Sequence, residues 1–484
     1  MQKSKTKWTS PFGCSLRLMS KSATRSCSAW ITFLEHYIES QAQRRRTLLS
    51  IILPLMLIVP SWAQTQAPEV DTGDPTLNSS SRQYLLGDWG GTRSRLADKG
   101  VVFDFFYISD SQGNPTGGLQ QTGATWQRVR GTVDIDFGHF AERWSGLRFH
   151  ATGLWQTGSN LGARIGTIAN PSDLVSLNTA RLDSFWLEQH FFDSKLRIRA
   201  GQLAGYDFNG NQEYGGSWLI EPLGYAFGTL FSSVYETFNP VGTPGAEVRF
   251  APKRSFYVKT AVMAGNKDPY HQDPTGFEFK IRDTPVYLFE TGYLVSPAED
   301  ATPVEAGVSY LTTSAGSPDG KSHPGVYKFG SAFNRGQFSD PAGRKSNGNY
   351  LLYGMASQAL FRTEAGSNRG LDATFGFDWS PGDVSRANTQ ITAGARFNAP
   401  FRRRKEDRVA WGFVYSKISD PFSRFGQLLG GAPLGSEKAF ELNYSLQVRP
   451  YLLLEPTFQY YVNVGGNPRL SNPAVFGLRT KITL

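Results

Sequence analysis

Chemistry at neutral pH calls for an activated nucleophile, an acid–base pair or a metal cluster. The histidines, cysteines and serines of this chain supply none of these at close spacing. Five of the six histidines (His139, His150, His190, His271 and His323) follow residue 63, and none forms HExxH or another close ligand pair. No G-x-S-x-G nucleophile elbow occurs. The only cysteines, Cys14 and Cys27, lie near the N-terminus, so the remainder holds neither a disulfide framework nor a thiolate zinc site. Asp134 and Asp136 stand two apart in an alternating segment and read as wall or loop charges rather than as a hydrolytic pair. Glycine-rich pieces fall in turns, where they cradle no phosphate. The expectation is no enzyme, no metal and no cofactor.

What the spacing does supply is polar side chains at every second position. By parity, one shared face carries Arg148 and His150, Glu188 and His190, Arg197 and Arg199, Lys259, Asp372, Arg396, Glu441, Arg449, Glu455 and Gln459. Arginine and carboxylate on one wall offer bidentate donation and acceptance to hydroxyl groups. Arg197 and Arg199, two cations on one polar face, are the foremost candidates for a constriction.

The elements that hold these residues are strands. Val129, Gly131, Val133, Ile135 and Phe137 interleave with Arg128, Arg130, Thr132, Asp134 and Asp136; Phe440, Leu442, Tyr444, Leu446 and Val448 interleave with Glu441, Asn443, Ser445, Gln447 and Arg449. A period of two puts apolar and polar residues on opposite faces of a strand. About 17 such segments begin near residues 101, 127, 146, 184, 195, 245, 256, 286, 303, 325, 350, 371, 389, 408, 438, 451 and 474, separated by turn signals such as Gly465-Gly466-Asn467-Pro468. Helical periodicity is nearly absent.

Two architectures bury such faces: a soluble exported all-β carbohydrate-binding protein, and a transmembrane antiparallel β-barrel with lipid outside and water within. Segments of about ten residues match a tilted bilayer crossing. The polar faces carry both signs of charge, and aromatics crowd segment ends (Phe105-Phe106-Tyr107, Phe191-Phe192, Tyr460-Tyr461) as interfacial girdles do. These features favour the barrel. Bacterial barrels of this kind have even strand numbers, and the 384 positions from 101 to 484 allow 24 per strand for sixteen strands. The weakest segments are 245–250, which is short, and 350–361, whose alternation is blurred. Sixteen strands leave an aqueous channel. The segment Gln202 to Tyr225, rich in Gly, Tyr and Asn and holding Trp218, either folds inward to narrow it or stays at the surface.

Composition agrees. Charged residues are 19% and aromatics 13%, with a mean hydropathy of −0.35, against about 25% charged in soluble chains. The net charge of +9 misleads. Residues 1–63 hold nine Lys/Arg and two acids, which leaves 41 bases and 39 acids, or +2, in the rest. That excludes nucleic acid as a partner, since its binding needs surplus cations. Arg44-Arg45-Arg46, the apolar run 48–59 and Pro60-Ser61-Trp62-Ala63 form a signal peptide with cleavage after Ala63. Residues 1–43 exceed an ordinary n-region and read as an over-extended start. A 64–100 periplasmic segment then precedes the 101–484 barrel, and those 37 residues are too few for a plug, so transport is passive.

Leu85-Leu86-Gly87-Asp88-Trp89-Gly90-Gly91-Thr92-Arg93-Ser94-Arg95-Leu96-Ala97-Asp98-Lys99-Gly100, a glycine turn and short amphipathic helix leading into VVFDFFY, resembles the N-terminal signature of the carbohydrate-selective porins, the OprB family. Ile198 to Leu203 with Tyr206-Asp207-Phe208 is similar to the family's mid-barrel strand and loop. Glu441 to Pro468, with a tight turn at Arg449-Pro450, resembles its penultimate hairpin before the closing strand AVFGLRTKITL. The resemblance spans roughly 82–484. It implies a porin in the outer membrane of a Gram-negative bacterium, exported by a cleaved signal peptide. Such a porin passes neutral monosaccharides such as glucose, polyols and small oligosaccharides, as a monomer or trimer. Non-sugar solutes are the other cargo such a barrel would carry. Its partners would be outer-membrane lipid and the assembly machinery, which usually reads a terminal aromatic where this chain has Leu484.

Overall fold

The computed structural model describes residues 83–484, except 206–207, 209–216, 225–229, 235–239, 266–272, 282, 296–322, 364–366 and 368. All of these fall in the unit Pro75–Leu484. The leader, its apolar run 48–59 and the cleavage site after Ala63 lie outside the described residues.

Sixteen antiparallel strands close on themselves: β1 (Val101–Thr116), β2 (Thr122–Asp136), β3 (Leu147–Gly158), β4 (Thr179–Phe191), β5 (Leu196–Leu203), β6 (Thr243–Lys253), β7 (Phe256–Met263), β8 (Val286–Val295), β9 (Gly325–Ser339), β10 (Lys345–Arg362), β11 (Gly370–Trp379), β12 (Ala387–Asn398), β13 (Arg408–Ile418), β14 (Ser436–Arg449), β15 (Leu452–Val462) and β16 (Ala474–Thr483). Each pairs with its sequence neighbours, and β16 returns to β1 through Phe106↔Thr483 to Thr116↔Ala474. Closure removes the free edges that an open sheet would leave. It also removes the reading of a soluble sandwich, because the outer face stays apolar: Leu187, Ile198, Phe289, Phe329, Phe375, Leu442 and Leu478 are exposed there.

The surplus segment among the 17 expected is the one near 303. It lies outside the described residues, and the ring does not contain it, because β8 pairs directly with β9 from Val286↔Asn334 to Val295↔Gly325. The two weak segments are both strands, β6 and β10. The alternation of β10 is blurred for a physical reason. Its inner residues Leu351, Tyr353 and Met355 are apolar because they pack against Leu230 and Val234, described residues of the β5–β6 loop (204–242) that lie inside the barrel.

One rim carries the loops 117–121, 159–178, 204–242, 264–285, 340–344, 380–386, 419–435 and 463–473. The other carries the turns 137–146, 192–195, 254–255, 363–369, 399–407 and 450–451, the connection 296–324 from β8 to β9, and both ends of the ring. In barrels of this kind the short-turn rim faces the periplasm. A short helix, α1 (Thr92–Ala97), begins there under Asp88, whose carboxylate accepts from Ser94 N and Ser94 Oγ at 2.9 and 2.8 Å. It secures the seam: Leu85 N donates to Thr483 O at 2.9 Å, Arg93 donates to Leu484 O at 2.9 Å, and Trp89 packs on Phe103 and Phe105. Two further helices, α2 (Leu161–Ile165) and α3 (Asp420–Leu428), lie in long loops.

The candidate channel and its lining

Parity places one polar row inside the ring, and the register makes it continuous. His190, Arg197, Arg249, Lys259, Glu290, Gly330, Tyr353, Asp378, Gln390, Ser416 and Glu437 stand directly opposite one another across β4 to β14. His190 is next to the short-turn end of β4, whereas Glu437 is next to the long-loop end of β14. Because barrel strands tilt, the row climbs the wall as a spiral from rim to rim. Cations occupy its lower part, and carboxylates, an amide and hydroxyls its upper part. A second row, Asp136, Arg148, Glu188, Arg199 and Glu247, alternates in sign across β2 to β6.

Around Glu188 the structure assembles several of the expected residues. Its carboxylate meets His190 Nε2 at 2.7 Å, Arg197 at 3.3 Å and Arg199 at 2.9 Å. The Arg199 guanidinium lies 4.1 Å from the Trp186 ring centre, and His150 stacks on the same indole at 4.7 Å. His150 also meets Asp134 at 2.7 Å. Lys259 pairs with Glu290 at 3.1 Å and lies 4.3 Å from the Phe208 ring. Glu290 further accepts from the hydroxyls of Tyr257 and Tyr353 at 2.7 and 2.8 Å. Both tyrosines lie flat over a wall glycine, Gly292 and Gly330, where a Cβ would come within 2.2 Å of the ring. On the opposite wall Asp372 joins Arg362, Arg396 and Asn398 at 2.7, 2.8 and 2.7 Å.

Two loops fold into the lumen and are tied to these walls. The β5–β6 loop sends Leu219 N and Ile220 N to the Glu441 carboxylate, both at 2.8 Å, and Ser217 to Arg396 and Asn443 at 3.1 and 2.8 Å. Trp218 sits against Gly394 and Gly412, which face each other on β12 and β13, and a Cβ at either would strike its indole. The β3–β4 loop (159–178) is held by Glu437, which accepts from Ile168 N, Ala169 N and Gly465 N, and by Gln112 and Gln459, which both donate to Pro171 O. Arg479 grips Asp110 with two bonds of 2.7 Å and also meets Asp173. The two loops bond to each other through Asp173 N to Leu219 O at 2.8 Å and Glu221 N to Asn170 O at 3.0 Å. Of the two placements open for residues 202–225, the described part takes the inward one.

The remaining expected residues are dispersed. Arg148 is partly exposed near the short-turn rim, 3.7 Å from Asp136. Glu455 is buried opposite Arg479, and its oxygens have no hydrogen-bond partner among the described residues. Arg449 is the last residue of β14. The register shifts between Gln447 and Arg449, so parity alone does not fix its face, and the side chain is exposed at the rim. Sequence reasoning passed over Glu290, Arg249, Glu247, Arg362, Glu437 and the pair Asp110–Arg479, although the same parity would have placed them. Among the described residues no group of three or more His, Cys, Asp or Glu side chains is arranged to hold a metal. Among the described residues the two terminal nitrogens of Arg249 find no hydrogen-bond partner, and the guanidinium lies 4.3 Å from the Tyr257 ring centre. The result is a wall of mixed-sign donors and acceptors interleaved with aromatic faces, narrowed by two braced loops. It can exchange hydrogen bonds with a hydroxylated solute without fixing one sign of charge.

A family model described as "Carbohydrate-selective porin, OprB family" matches residues 120–484. The chain is 23% identical over 448 residues to Porin B of Pseudomonas aeruginosa, covering 83% of this chain and 91% of that protein. It is 22% identical over 436 residues to the putative porin QuiX of Acinetobacter baylyi, covering 84% and 94%. Among solved structures, the high-pH form of Pseudomonas putida OprB superposes with a TM-score of 0.73 at 18% identity, covering 84% of this chain and 99% of that one.

Proposed function

Because the chain belongs to the carbohydrate-selective porin, OprB family, we propose that it passes small neutral sugars and polyols passively through an outer-membrane channel lined by the spiral row and narrowed by its two inward loops. Membership makes it a channel and not an enzyme, at home in the outer membrane of a Gram-negative cell. Monosaccharides such as glucose head the proposed cargo, with small oligosaccharides behind them. Export by a leader cleaved after Ala63 belongs to the same reading.

The observation that carries it is the arrangement around Glu188. Arg197, Arg199 and His190 share one carboxylate beside the partly buried Trp186 indole, on which His150 stacks. Neutralised cations still donate to hydroxyls, while their partner keeps a free anion from being held too strongly. Aromatic faces next to them suit the C–H face of a pyranose. The inner-wall residues Arg148, His150, Glu188, His190, Arg197, Arg199, Lys259, Asp372, Arg396, Glu441, Glu455 and Gln459 are the proposed lining.

Liposome swelling tests this directly. Wild-type protein should admit glucose faster than a disaccharide. Arg197→Ala with Arg199→Ala should widen permeability and shrink that difference. Unchanged relative rates in the double variant would remove the pair from the constriction. Swelling no faster than in protein-free liposomes would remove the sugar channel altogether.

A further inference from the structure

At the short-turn rim, the turn 399–407 between β12 and β13 carries four consecutive cations, Arg402, Arg403, Arg404 and Lys405. Only one is spent inside the protein. Arg404 pairs with Asp407 and donates to Gln447 O at 2.9 Å, and Asp407 also accepts from Tyr444 Oη and Gln447 N. Those bonds hold the turn rigid. Arg402, Arg403 and Lys405 are exposed, and among the described residues none is paired with an acid. Arg449 is exposed at the end of β14 beside the adjoining turn, and Arg369 bonds to Ala399 O at 3.0 Å from the other side. The acids within this patch are Asp407, already committed, and Glu406.

The turn lies on the lipid side of the wall. Exposed Phe401 packs 6.4 Å from Tyr444, and Tyr444 shares the outward face of β14 with Phe440 and exposed Leu442. Rings at strand ends mark the level where hydrocarbon gives way to headgroups. Three free cations next to such rings are therefore set at the height of the lipid phosphates. We propose that this turn is a binding site for the headgroups of anionic phospholipids in the leaflet at the short-turn rim, with Arg402, Arg403 and Lys405 contacting the phosphodiester. Arginine matches phosphate oxygens with two parallel donors, and basic clusters beside a membrane attract anionic lipid by charge that salt screens.

The test uses the full barrel in bilayers of a phosphatidylcholine host doped with spin-labelled phosphatidylglycerol or spin-labelled phosphatidylcholine. The wild type should favour the glycerol lipid several-fold in its motionally restricted shell, and added salt should erode the preference. The triple variant Arg402→Gln, Arg403→Gln, Lys405→Gln should bring the ratio close to one. Arg402→Lys with Arg403→Lys should keep most of it. Unaltered heat-modifiable mobility and unaltered conductance show that the variants are folded. A preference that survives the glutamine variant, or a wild type that does not distinguish the two lipids, would overturn the proposal. So would a protein that takes up inorganic phosphate at this turn while ignoring the lipid.

Discussion

Asp407 shows how much one side chain does at a strand junction. Burial works to raise its pKa, but hydrogen bonds from Arg404, Tyr444 and Gln447 N outweigh it and hold the carboxyl below its ordinary value of 3.8. A depressed pKa means the stabilisation is full above the unfolded value of about 3.9 and is lost as pH falls through the folded one. The 399–407 turn should therefore stay protected from protease at pH 5 and loosen only at more acid pH, and Asp407→Ala should expose it already at neutral pH. Leaving its donors unpaired costs about 1–3 kcal/mol, readable as earlier thermal unfolding. At this scale, parity in the sequence identified Arg197, Arg199, Glu188 and His190 as residues of one wall. It did not show that Arg449 lies beyond a register shift, because a shift at a strand end leaves no trace in the spacing. The tyrosine–glycine partnerships at Glu290 were equally hidden, since they join residues 35 and 23 positions apart that only cross-strand pairing makes neighbours.

Among elements, strands were legible and inward loops were not. A strand declares itself by its own alternation, so sixteen of the seventeen expected segments are strands of the ring, the two weak ones included, and the one near 303 is not part of it. The blurred β10 was hard to read because its inner face answers to a loop more than a hundred residues away. The braced loops have no local signature either. Their anchors, Glu437, Glu441 and Gln459, are contributed by β14 and β15, far along the chain. Glu441 is the post to which residues 219 and 220 are tied, and bonds to a charged acceptor contribute about 1.5–3 kcal/mol each. Glu441→Ala should free the β5–β6 loop, raise single-channel conductance and make the loop cleavable in an intact barrel. Glu441→Gln should fall between it and the wild type. Wild-type conductance in Glu441→Ala would show that the loop is held by Trp218 and the glycine wall without it.

At the scale of the whole molecule, the closed ring was foreseeable from strand number and two-faced alternation, whereas its fastening was not. That fastening joins residues almost 400 positions apart: Arg93 donates to the carbonyl of Leu484, Leu85 pairs with Thr483, and the Arg93 guanidinium stacks on Tyr84 and Trp89 at 3.7 and 4.4 Å. Arg93→Ala should lower the temperature at which the folded form converts to the slow-migrating one on gels, by an amount set by roughly 1.5–3 kcal/mol. Conductance should not change, because the Arg93 clasp sits at the short-turn rim, away from the Asp110–Arg479 pair that holds the β3–β4 loop. A hoop buckled by its own first and last links has no stable half-made form. While the final strand is still missing, the opening strand shows a bare edge and the clasp has nothing to grip. A polypeptide interrupted a few residues early thus forfeits both together, which leaves incomplete products recognisable to the proteases that clear failed assemblies.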